Sequence, residues 1–306
     1  METQTILVTG VNGFIGSHVA RLLRKNWRIL GIDTNSIDIH GTTDKYCQLV
    51  LPDADIEGLL RAEKPLACLH FAGSASVGHS LEHPSHDFQA GPVALFQLLD
   101  AIRKTTPDCV VLFPSSAAVY GNPKALPITE DHPLAPISPY GHHKLISEQI
   151  LKEFSSIYGL NSVILRIFSC YGPGLKKQLL WDVCEKIDQG RLQLFGTGDE
   201  TRDFIHVDDV ALAMEHLLTH QVHNGVFNLA GGEQTTVKRI VQLLVEASAK
   251  PGTTAEFNQN SRPGDPLHWQ ADISRLVQTG FRPQISLEQG VTQYAAWYTR
   301  QIHEHN

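Results

Sequence analysis

Tyr140 and Lys144 lie four positions apart in the segment SPYGHHK at 138–144. Residues at this spacing share one face of a helix. A lysine ammonium beside a phenol favours the phenolate and lowers the pKa of the phenol. Tyr140 would then serve as an acid and base near neutral pH. Such pairs are often only surface packing, so the interpretation depends on two features upstream: Ser116, which ends an apolar run, and a glycine-rich loop.

The glycine-rich loop GVNGFIG occupies residues 10–16 and follows an apolar run. Glycine lets the backbone approach a pyrophosphate, and a following helix presents free N–H groups. The spacing of Gly10, Gly13 and Gly16 is GxxGxxG rather than GxGxxG, so the loop alone is a weak signal. Asp33 follows 20 residues after Gly13, where a carboxylate accepts ribose hydroxyls and repels a 2′-phosphate. Together these features predict a dinucleotide site that prefers NAD to NADP.

Short β-branched runs alternate with longer helical patterns through the first half of the chain. Apolar strands joined by helices form a parallel sheet that is covered on both faces. We therefore predict a doubly wound, Rossmann-type α/β fold, which binds ligands at the carboxyl ends of its strands. The predicted strands are 5–9, 28–32, 66–71, 109–113 and 161–167, and the predicted helices are 14–25, 54–63, 92–104 and 139–158.

The regular alternation breaks after residue 170. We predict a Rossmann domain over 1–170, with segments returning from 200–235, and a smaller C-terminal α/β domain over 171–306. No polar linker divides the two regions, so we expect the second domain to pack on the first and close a cleft. Helical stretches in the second region are predicted at 176–189, 207–219 and 236–249.

Composition excludes several classes of function. The chain has 25 Lys+Arg and 32 Asp+Glu, a net charge of −7, which argues against a general nucleic-acid binder. No apolar run approaches the ~20 residues of a membrane span, and the first residues lack the basic region of a signal peptide. The five cysteines are odd in number and form no CxxC motif, which predicts a reduced, cytoplasmic protein. The 16 histidines include no HExxH or other ligand spacing, so no metal site is predicted.

Longer motifs reveal a family resemblance that covers the chain from the glycine loop to residue 281. The chain resembles the extended short-chain dehydrogenase/reductase family of nucleotide-sugar enzymes and is most similar to its NAD-dependent UDP-glucose (UDP-galactose) 4-epimerase branch. The resemblance implies NAD as the cofactor, a UDP- or dTDP-hexose as the partner, and a substrate domain in the C-terminal region. The motifs are GVNGFIG at 10–16, HFAG at 70–73, SSAAVYG at 115–121, YGHHK at 140–144, LRIFSCYGPG at 165–174, GDETRDFIHVDDVA at 198–211 and RPGD…ADISR at 262–275.

The resemblance also implies roles for individual residues. Ser116, Tyr140 and Lys144 match the catalytic triad. The cofactor-binding positions, besides Tyr140 and Lys144, are Gly10, Gly13, Phe14, Ile15, Gly16, Asp33, Gln48, Leu49, Phe71, Ala72, Gly73 and Phe168. The substrate-binding positions, besides Ser116, are Ser169, Gln178, Leu179, Phe195, Arg202, Arg262 and Asp265, where the two arginines clamp the diphosphate.

Three of these positions depart from the family pattern. Gln48 stands where the family usually has Asp, Ser169 replaces the usual Asn, and Gln178 stands where many members have Asn.

Two acidic residues lie at the start of the helical stretch at 207–219. We interpret Asp208 and Asp209 as its N-cap and first-turn acid, and His206 as an interdomain hydrogen-bonding residue.

The residues after Ser116 help to separate the reactions that the family performs. The related 4,6-dehydratases carry an Asp-Glu pair where this chain has Ala117 and Ala118, and the decarboxylases carry Glu at the second position. A 4-epimerase needs only the triad and NAD, and it is the reaction that we predict. The alternatives are an NAD(P)H-dependent 4-ketoreductase of a 6-deoxy-4-keto sugar nucleotide and a non-catalytic NAD-binding sensor.

The same family usually dimerises through two helices of each subunit, here 92–104 and 139–158. We therefore predict a homodimer with a four-helix contact. The apolar residues Val93, Leu95, Phe96 and Leu99 could form that contact or could cover the sheet.

Overall fold

The computed structural model describes residues 3–51, 55–248, 250, 252–260 and 267–303. The chain forms two compact units. The first comprises 1–121, 130–167 and 211–228, and the second comprises 122–129, 168–210 and 229–306. None of the helices in the described ranges is both long enough and apolar enough to cross a membrane.

The strands and helices follow in chain order. The strands are β1 (Thr5–Thr9), β2 (Arg28–Asp33), β3 (Lys45–Gln48), β4 (Ala67–His70), β5 (Val110–Ser116), β6 (Ser162–Ile167), β7 (Ser169–Tyr171), β8 (Gln193–Leu194), β9 (Thr201–Arg202), β10 (Phe204–His206), β11 (Gly225–Leu229), β12 (Thr235–Thr236) and β13 (Glu256–Phe257). The helices are α1 (Phe14–Leu23), α2 (Ile56–Glu63), α3 (Val77–Glu82), α4 (Pro84–Phe88), α5 (Ala94–Thr105), α6 (Pro139–Tyr158), α7 (Gln178–Asp188), α8 (Val207–Thr219), α9 (Val237–Ala247), α10 (Ser274–Gln278) and α11 (Leu287–His303).

The central sheet has seven strands in the order β11-β6-β5-β4-β1-β2-β3. Its pairs from β6 through β3 are all parallel. β2 and β3 lie on one side of β1, and the later strands β4, β5, β6 and β11 lie on its other side. This strand order is that of a doubly wound fold, so the predicted fold class is confirmed. β3 and β11 were not predicted as strands.

The core of the first unit forms because both faces of the sheet are covered. Ile6, Leu7 and Val8 are successive residues of β1, and all three are fully buried. Helix α5 buries Leu95 and Leu99 in the same core. These two leucines therefore cover the sheet, which settles one of the alternatives left open by the sequence.

Helix α6 has the bounds that the sequence predicts because both of its ends carry strong signals. The Ser138 hydroxyl accepts the N–H of Gly141 at 3.1 Å, and Pro139 occupies the first turn. Gly159 ends the helix with a φ of 70°, a left-handed conformation that favours glycine. The helix therefore presents Tyr140 and Lys144 within its first two turns.

The helical region before α5 is longer than predicted. α3 and α4 precede a π-helical stretch over Gln89–Val93, which contains Pro92. Proline lacks the N–H that an α-helix requires, and the wider π turn accommodates it. These extra turns carry side chains to the active site.

The second unit is built from short strand pairs and helices. β7 pairs with β10 in parallel, β9 with β12 in antiparallel, and β8 with β13 in parallel. The Tyr294 hydroxyl of α11 donates to the carbonyl of Leu175 at 2.7 Å. Trp181 of α7 packs edge-on against Tyr298 of α11.

The prediction that Asp208 caps helix α8 is wrong. The helix begins at Val207, the first residue of the predicted stretch 207–219, so Asp208 and Asp209 both lie in its first turn. The Nδ1 atom of His206 accepts the N–H of Asp208 at 3.2 Å, the kind of bond that an N-cap side chain makes. The buried Asp209 carboxylate accepts the N–H groups of Gln284 and Ile285 at 2.9 and 3.0 Å.

Candidate active site

The glycine loop joins β1 to α1 and leaves the backbone open to a ligand. Gly10 has a φ of +68°, and a Cβ there would lie 2.6 Å from the amide nitrogen of Ala72. A Cβ on Gly16 would lie 2.3 Å from the carbonyl oxygen of Gly10. Gly13 precedes Phe14, the first residue of α1, and makes no side-chain cap. Its neighbouring N–H groups and the helix dipole suit a phosphate, so the loop fits a dinucleotide.

The ribose-binding acid lies next to this loop. Asp33 ends β2, and its carboxylate accepts the N–H of Asn12 at 2.9 Å and that of Thr34 at 2.8 Å. Gln48 lies opposite Asp33 in the parallel register, and its amide donates to the Thr34 carbonyl at 3.0 Å. Leu49 donates its N–H to the Asp33 carbonyl at 2.9 Å. The three residues expected at the adenosine end therefore lie together.

Residues 71–73 lie beside the glycine loop. The N–H of Phe71 donates to the carbonyl of Thr9 at 2.9 Å, and the N–H of Ala72 donates to the Thr9 hydroxyl at 3.2 Å. His70 precedes them with its Nδ1 atom 2.8 Å from the same hydroxyl. Burial, with a smaller contribution from the Lys144 charge, lowers the pKa of His70 to about 3. His70 is thus a neutral structural residue at working pH.

Ser116, Tyr140 and Lys144 meet where β5 ends and α6 begins. The Ser116 side chain lies close enough to the Tyr140 phenol to exert a lowering influence on its pKa, and its hydroxyl accepts the N–H of Ala118 at 3.2 Å. The Lys144 amine donates to the carbonyl of Pro114 at 2.9 Å and lies 5.9 Å from the centre of the Tyr140 ring. The structure therefore brings together the predicted catalytic triad.

The sequence predicts that Lys144 lowers the pKa of Tyr140, and this direction is wrong for the protein alone. Burial raises the pKa of Tyr140, and the Asp87 carboxylate adds to the rise, while the nearby Ser116 side chain acts in the opposite direction. Burial lowers the pKa of Lys144 to about 8, against the influence of Asp87 and Glu148. The desolvation of both charged forms outweighs the attraction between them.

Three polar residues of the site were not identified from the sequence. The Ser80 hydroxyl accepts the N–H of Tyr140 at 3.0 Å. Asp87, only 3% exposed, places a carboxylate oxygen 2.5 Å from Nδ1 of His143. Asp87, His143, Tyr140 and Lys144 line one cavity. The consecutive histidines before Lys144 were the one available signal, and the sequence does not show that Asp87 contacts one of them.

A buried ion pair fixes the two elements that carry the triad. The Arg166 guanidinium on β6 bonds both oxygens of the Glu148 carboxylate on α6, at 3.0 and 2.7 Å. The Ser115 hydroxyl, beside Ser116 on β5, donates to the same carboxylate at 2.6 Å. Glu148 is one helical turn beyond Lys144, so this network ties α6 to the end of β5.

Apart from Ser116, the predicted substrate residues described by the structure fall in the second unit and form more than one group. Phe168, which is predicted at the cofactor, packs edge-on against Trp269, and the Arg202 guanidinium lies 6.0 Å from the centre of the same indole. The N–H of Ser169 donates to the carbonyl of Asp203 at 2.9 Å. Trp269, which lies against both Phe168 and Arg202, was not identified from the sequence.

Five further predicted substrate residues remain, and the structure describes three of them. Gln178 is exposed at the start of α7 with a φ of 68°, and Leu179 follows it, half-buried. Phe195 is exposed and lines a hollow with Leu194, Phe257 and Asn258. Arg262 and Asp265 lie outside the described residues.

Comparison with known proteins identifies the family. The model of the "NAD dependent epimerase/dehydratase family" matches residues 6–230. A UDP-glucose 4-epimerase of Azospirillum brasilense is 33% identical over 332 residues, covering 98% of this chain and 93% of that protein. A UDP-glucose 4-epimerase of Rhizobium meliloti is 32% identical over 329 residues, covering 98% of each.

Solved structures agree with this result over the whole chain. A UDP-N-acetylglucosamine 4-epimerase from Methanobrevibacter ruminantium has 29% identity and a TM-score of 0.89, and the match covers 98% of this chain and 100% of that one. A UDP-glucuronic acid 4-epimerase from Bacillus cereus, in complex with UDP-glucuronic acid and NAD, has 27% identity and a TM-score of 0.88, covering 97% and 100%. The predicted family is thus confirmed: the chain belongs to the NAD-dependent epimerase/dehydratase family.

Proposed function

We propose that this protein is an NAD-dependent 4-epimerase of a UDP-hexose. One observation carries the proposal: Ser116 at the carboxyl end of β5 lies close enough to Tyr140 to exert a lowering influence on its pKa, and Lys144 lies one helical turn beyond Tyr140 on α6. This triad lies in a chain whose relatives carry the names of UDP-sugar 4-epimerases. Those names also favour UDP over dTDP as the nucleotide.

The glycine loop and Asp33 would hold the two ends of the cofactor's adenosine diphosphate. Gly10 and Gly16 allow a tight turn, because a Cβ at either position would collide with backbone atoms of residue 72 or of the loop itself, and this turn would bring the N–H groups of the loop and helix to the pyrophosphate. The Asp33 carboxylate accepts ribose hydroxyls and repels the 2′-phosphate of NADP. Gln48 and Leu49 would lie against the adenine, and Phe71, Ala72 and Gly73 would follow the dinucleotide along β4. When bound, NAD supplies a hydride acceptor for C4 of the sugar and returns the same hydride.

Tyr140 would act as the base and then as the acid. Its phenolate accepts the proton of the sugar's 4-hydroxyl, and Ser116 orients that hydroxyl from its place beside the phenol. Tyr140 returns the proton to the 4-oxygen after C4 has been inverted, so no proton is consumed. Lys144, held by the Pro114 carbonyl, supports the phenolate with its positive charge.

Inversion requires that the sugar turn while the nucleotide stays bound. Arg202, Arg262 and Phe195 would hold the diphosphate and base, with Asp265 on the ribose. A forked, permanently charged guanidinium suits a diphosphate. Firm binding away from C4 and loose binding of the sugar would allow either face of C4 to meet the cofactor.

Turnover with no added cofactor tests this proposal. Purified protein is incubated with UDP-glucose, UDP-N-acetylglucosamine and UDP-glucuronic acid, and the products are separated by chromatography that resolves C4 epimers. We expect one or more to be converted to its epimer. Consumption of a 4-keto sugar only when NADH or NADPH is supplied would establish the reductase instead, and NAD binding without turnover would favour the sensor.

A pair of tyrosine variants assigns any turnover to the proposed site. Tyr140→Phe removes the acid–base hydroxyl and should abolish epimerisation while NAD stays bound. Tyr158→Phe, at the exposed end of the same helix, should leave turnover unchanged. Equal rates in the two variants would contradict the assignment.

We also propose a homodimer in the cytoplasm. Phe96 on α5 and Ile157 and Tyr158 on α6 are 44%, 66% and 49% exposed, and apolar side chains of this size favour a helical contact between subunits. Phe96 packs edge-on against Phe154, which joins the two helices into one apolar surface. A monomeric mass by light scattering would overturn the dimer. All five cysteines are free thiols, which suits a reducing compartment.

A further inference from the structure

We propose that Asp87 and His143 form a positioning pair that sets the charge of Tyr140 and Lys144, and with it the pH range of the reaction. This inference rests on the proposed function for its catalytic consequence. Neither residue belongs to the triad, and the two come from different helices, α4 and α6.

The contact between the two side chains is close and shielded. Nδ1 of His143 lies 2.5 Å from Oδ2 of Asp87, and the two side chains are 15% and 3% exposed. The ring of Phe88 packs edge-on against the imidazole. A carboxylate removed from water in this way needs a partner, and the imidazole supplies it.

The second oxygen of the carboxylate belongs to the wall of the active-site cavity. Oδ1 of Asp87 is buried and receives no hydrogen bond from the described residues. Asp87 and His143 line the cavity together with Tyr140 and Lys144. The carboxylate therefore lines the cavity with one oxygen held by His143 and with the other lacking a hydrogen bond from the described residues.

Two other titratable groups influence the site but are paired or neutral. Glu148 on α6 is not among the described residues that line the cavity, and although it also raises the pKa of Lys144, both of its oxygens are bonded by Arg166. His70 on β4 has its pKa lowered to about 3, so it is neutral. Lys144 is the positive charge of the site. Among the described residues that line this cavity, Asp87 is therefore the carboxylate that acts on the phenol and the amine.

The influence of Asp87 has the same direction on both groups. Its negative charge raises the pKa of Tyr140 and also raises the pKa of Lys144, where it opposes the larger effect of burial. Removing the charge should lower both pKa values. His143 holds the carboxylate in place through the contact of its Nδ1 atom with Oδ2.

Two conservative variants separate this role from a structural one. Asp87→Asn keeps the shape and removes the charge, so the pH profile of kcat/KM should move to lower pH by about one unit. His143→Gln keeps a hydrogen-bond donor beside Asp87. The charge of Asp87 remains in this variant, so the pH profile should move less than in Asp87→Asn.

Competitive acylation of Lys144 gives a measurement that does not need turnover. Purified protein is treated with acetic anhydride at a series of pH values, and mass spectrometry follows the peptide that carries Lys144. The half-maximal reactivity should move to lower pH by about one unit in Asp87→Asn. The controls Glu82→Gln, on exposed α3, and His142→Gln, the exposed neighbour of His143, should move neither readout.

The outcomes are distinct. If Asp87→Asn folds, as its circular dichroism would show, and neither the pH profile nor the reactivity of Lys144 moves, the pair is only structural and the inference fails. If no nucleotide sugar is turned over by the wild type but the reactivity of Lys144 moves as expected, the proposed function fails and the electrostatic role of the pair stands.

Discussion

Replacement of Arg166 by methionine should destabilise the protein far more than an ordinary surface charge change. Arg166 is 2% exposed and its partner Glu148 is fully buried. In Arg166→Met, the Glu148 carboxylate keeps only the Ser115 hydroxyl, at 2.6 Å. Breaking a buried pair by removing one partner costs about 3–5 kcal/mol, because a buried charge is left uncompensated. The ratio of folded to unfolded protein should fall by about two to four orders of magnitude.

The assay is urea unfolding followed by circular dichroism, with a matched exposed pair as the control. Arg61 bonds Glu57 at 3.1 Å, and these side chains are 63% and 32% exposed. Arg61→Met should cost less than about 1 kcal/mol, because water screens an exposed pair. The double variant Arg166→Met/Glu148→Met leaves no buried charge, so it should recover most of the lost stability.

Two results would refute this reasoning. The first is an equal loss of the free energy of unfolding in Arg166→Met and Arg61→Met. In that case the buried Glu148 carboxylate would not carry the desolvation cost that its burial implies. If the double variant lost as much as the sum of its single variants, the cost would come from packing rather than from an uncompensated Glu148.

Three further predictions concern ligand binding and pH. Gly16→Ala should abolish NAD binding in a calorimetric titration, because its Cβ would lie 2.3 Å from the carbonyl oxygen of Gly10 and would distort the loop. The control Gly58→Ala in α2 should bind NAD normally. Normal binding by both variants would contradict the assignment of the glycine loop to the pyrophosphate. Asp33→Asn should weaken the preference for NAD over NADP by about tenfold in measured Kd values, since the ribose loses a charged acceptor; an unchanged preference would remove Asp33 from the site. Burial lowers the pKa of Lys144 to about 8, so the wild-type rate should fall as the pH rises through that value and the ammonium loses its proton. Lys144→Met should lose most of the rate together with this alkaline limb, and a surviving limb would assign it to another group.

The sequence predicted elements whose signals are local. The bounds of α6 followed from Ser138 and Gly159. The Rossmann order followed from apolar strands joined by helices. β3 was missed because Lys45–Gln48 is a short, partly exposed edge strand with little apolar pattern. The helical turns before α5 were missed because Pro92 usually ends a helix, whereas here a π-helical stretch contains it.

The parts of the site that the sequence did not predict depend on contacts between distant segments. Asp87 and His143 are 56 positions apart, and only the packing of α4 on α6 brings them together. The sign of the Tyr140 pKa shift depends on burial, which helical spacing does not report. Asp208 lies within the first turn of α8 because His206 makes the bond that an N-cap residue makes. The sequence pattern alone does not show that a histidine takes this part.

The fate of the hydrogen on C4 tests the central claim most directly. A UDP-hexose that carries deuterium at C4 is incubated with the purified protein in ordinary water, with no added cofactor, and the C4 epimers are separated and weighed by mass spectrometry. Because the hydride leaves C4 and returns to it within one active site, we expect the epimer to form and to retain its deuterium. Loss of the deuterium to water, or the absence of an epimer from every UDP-hexose supplied, would contradict the account.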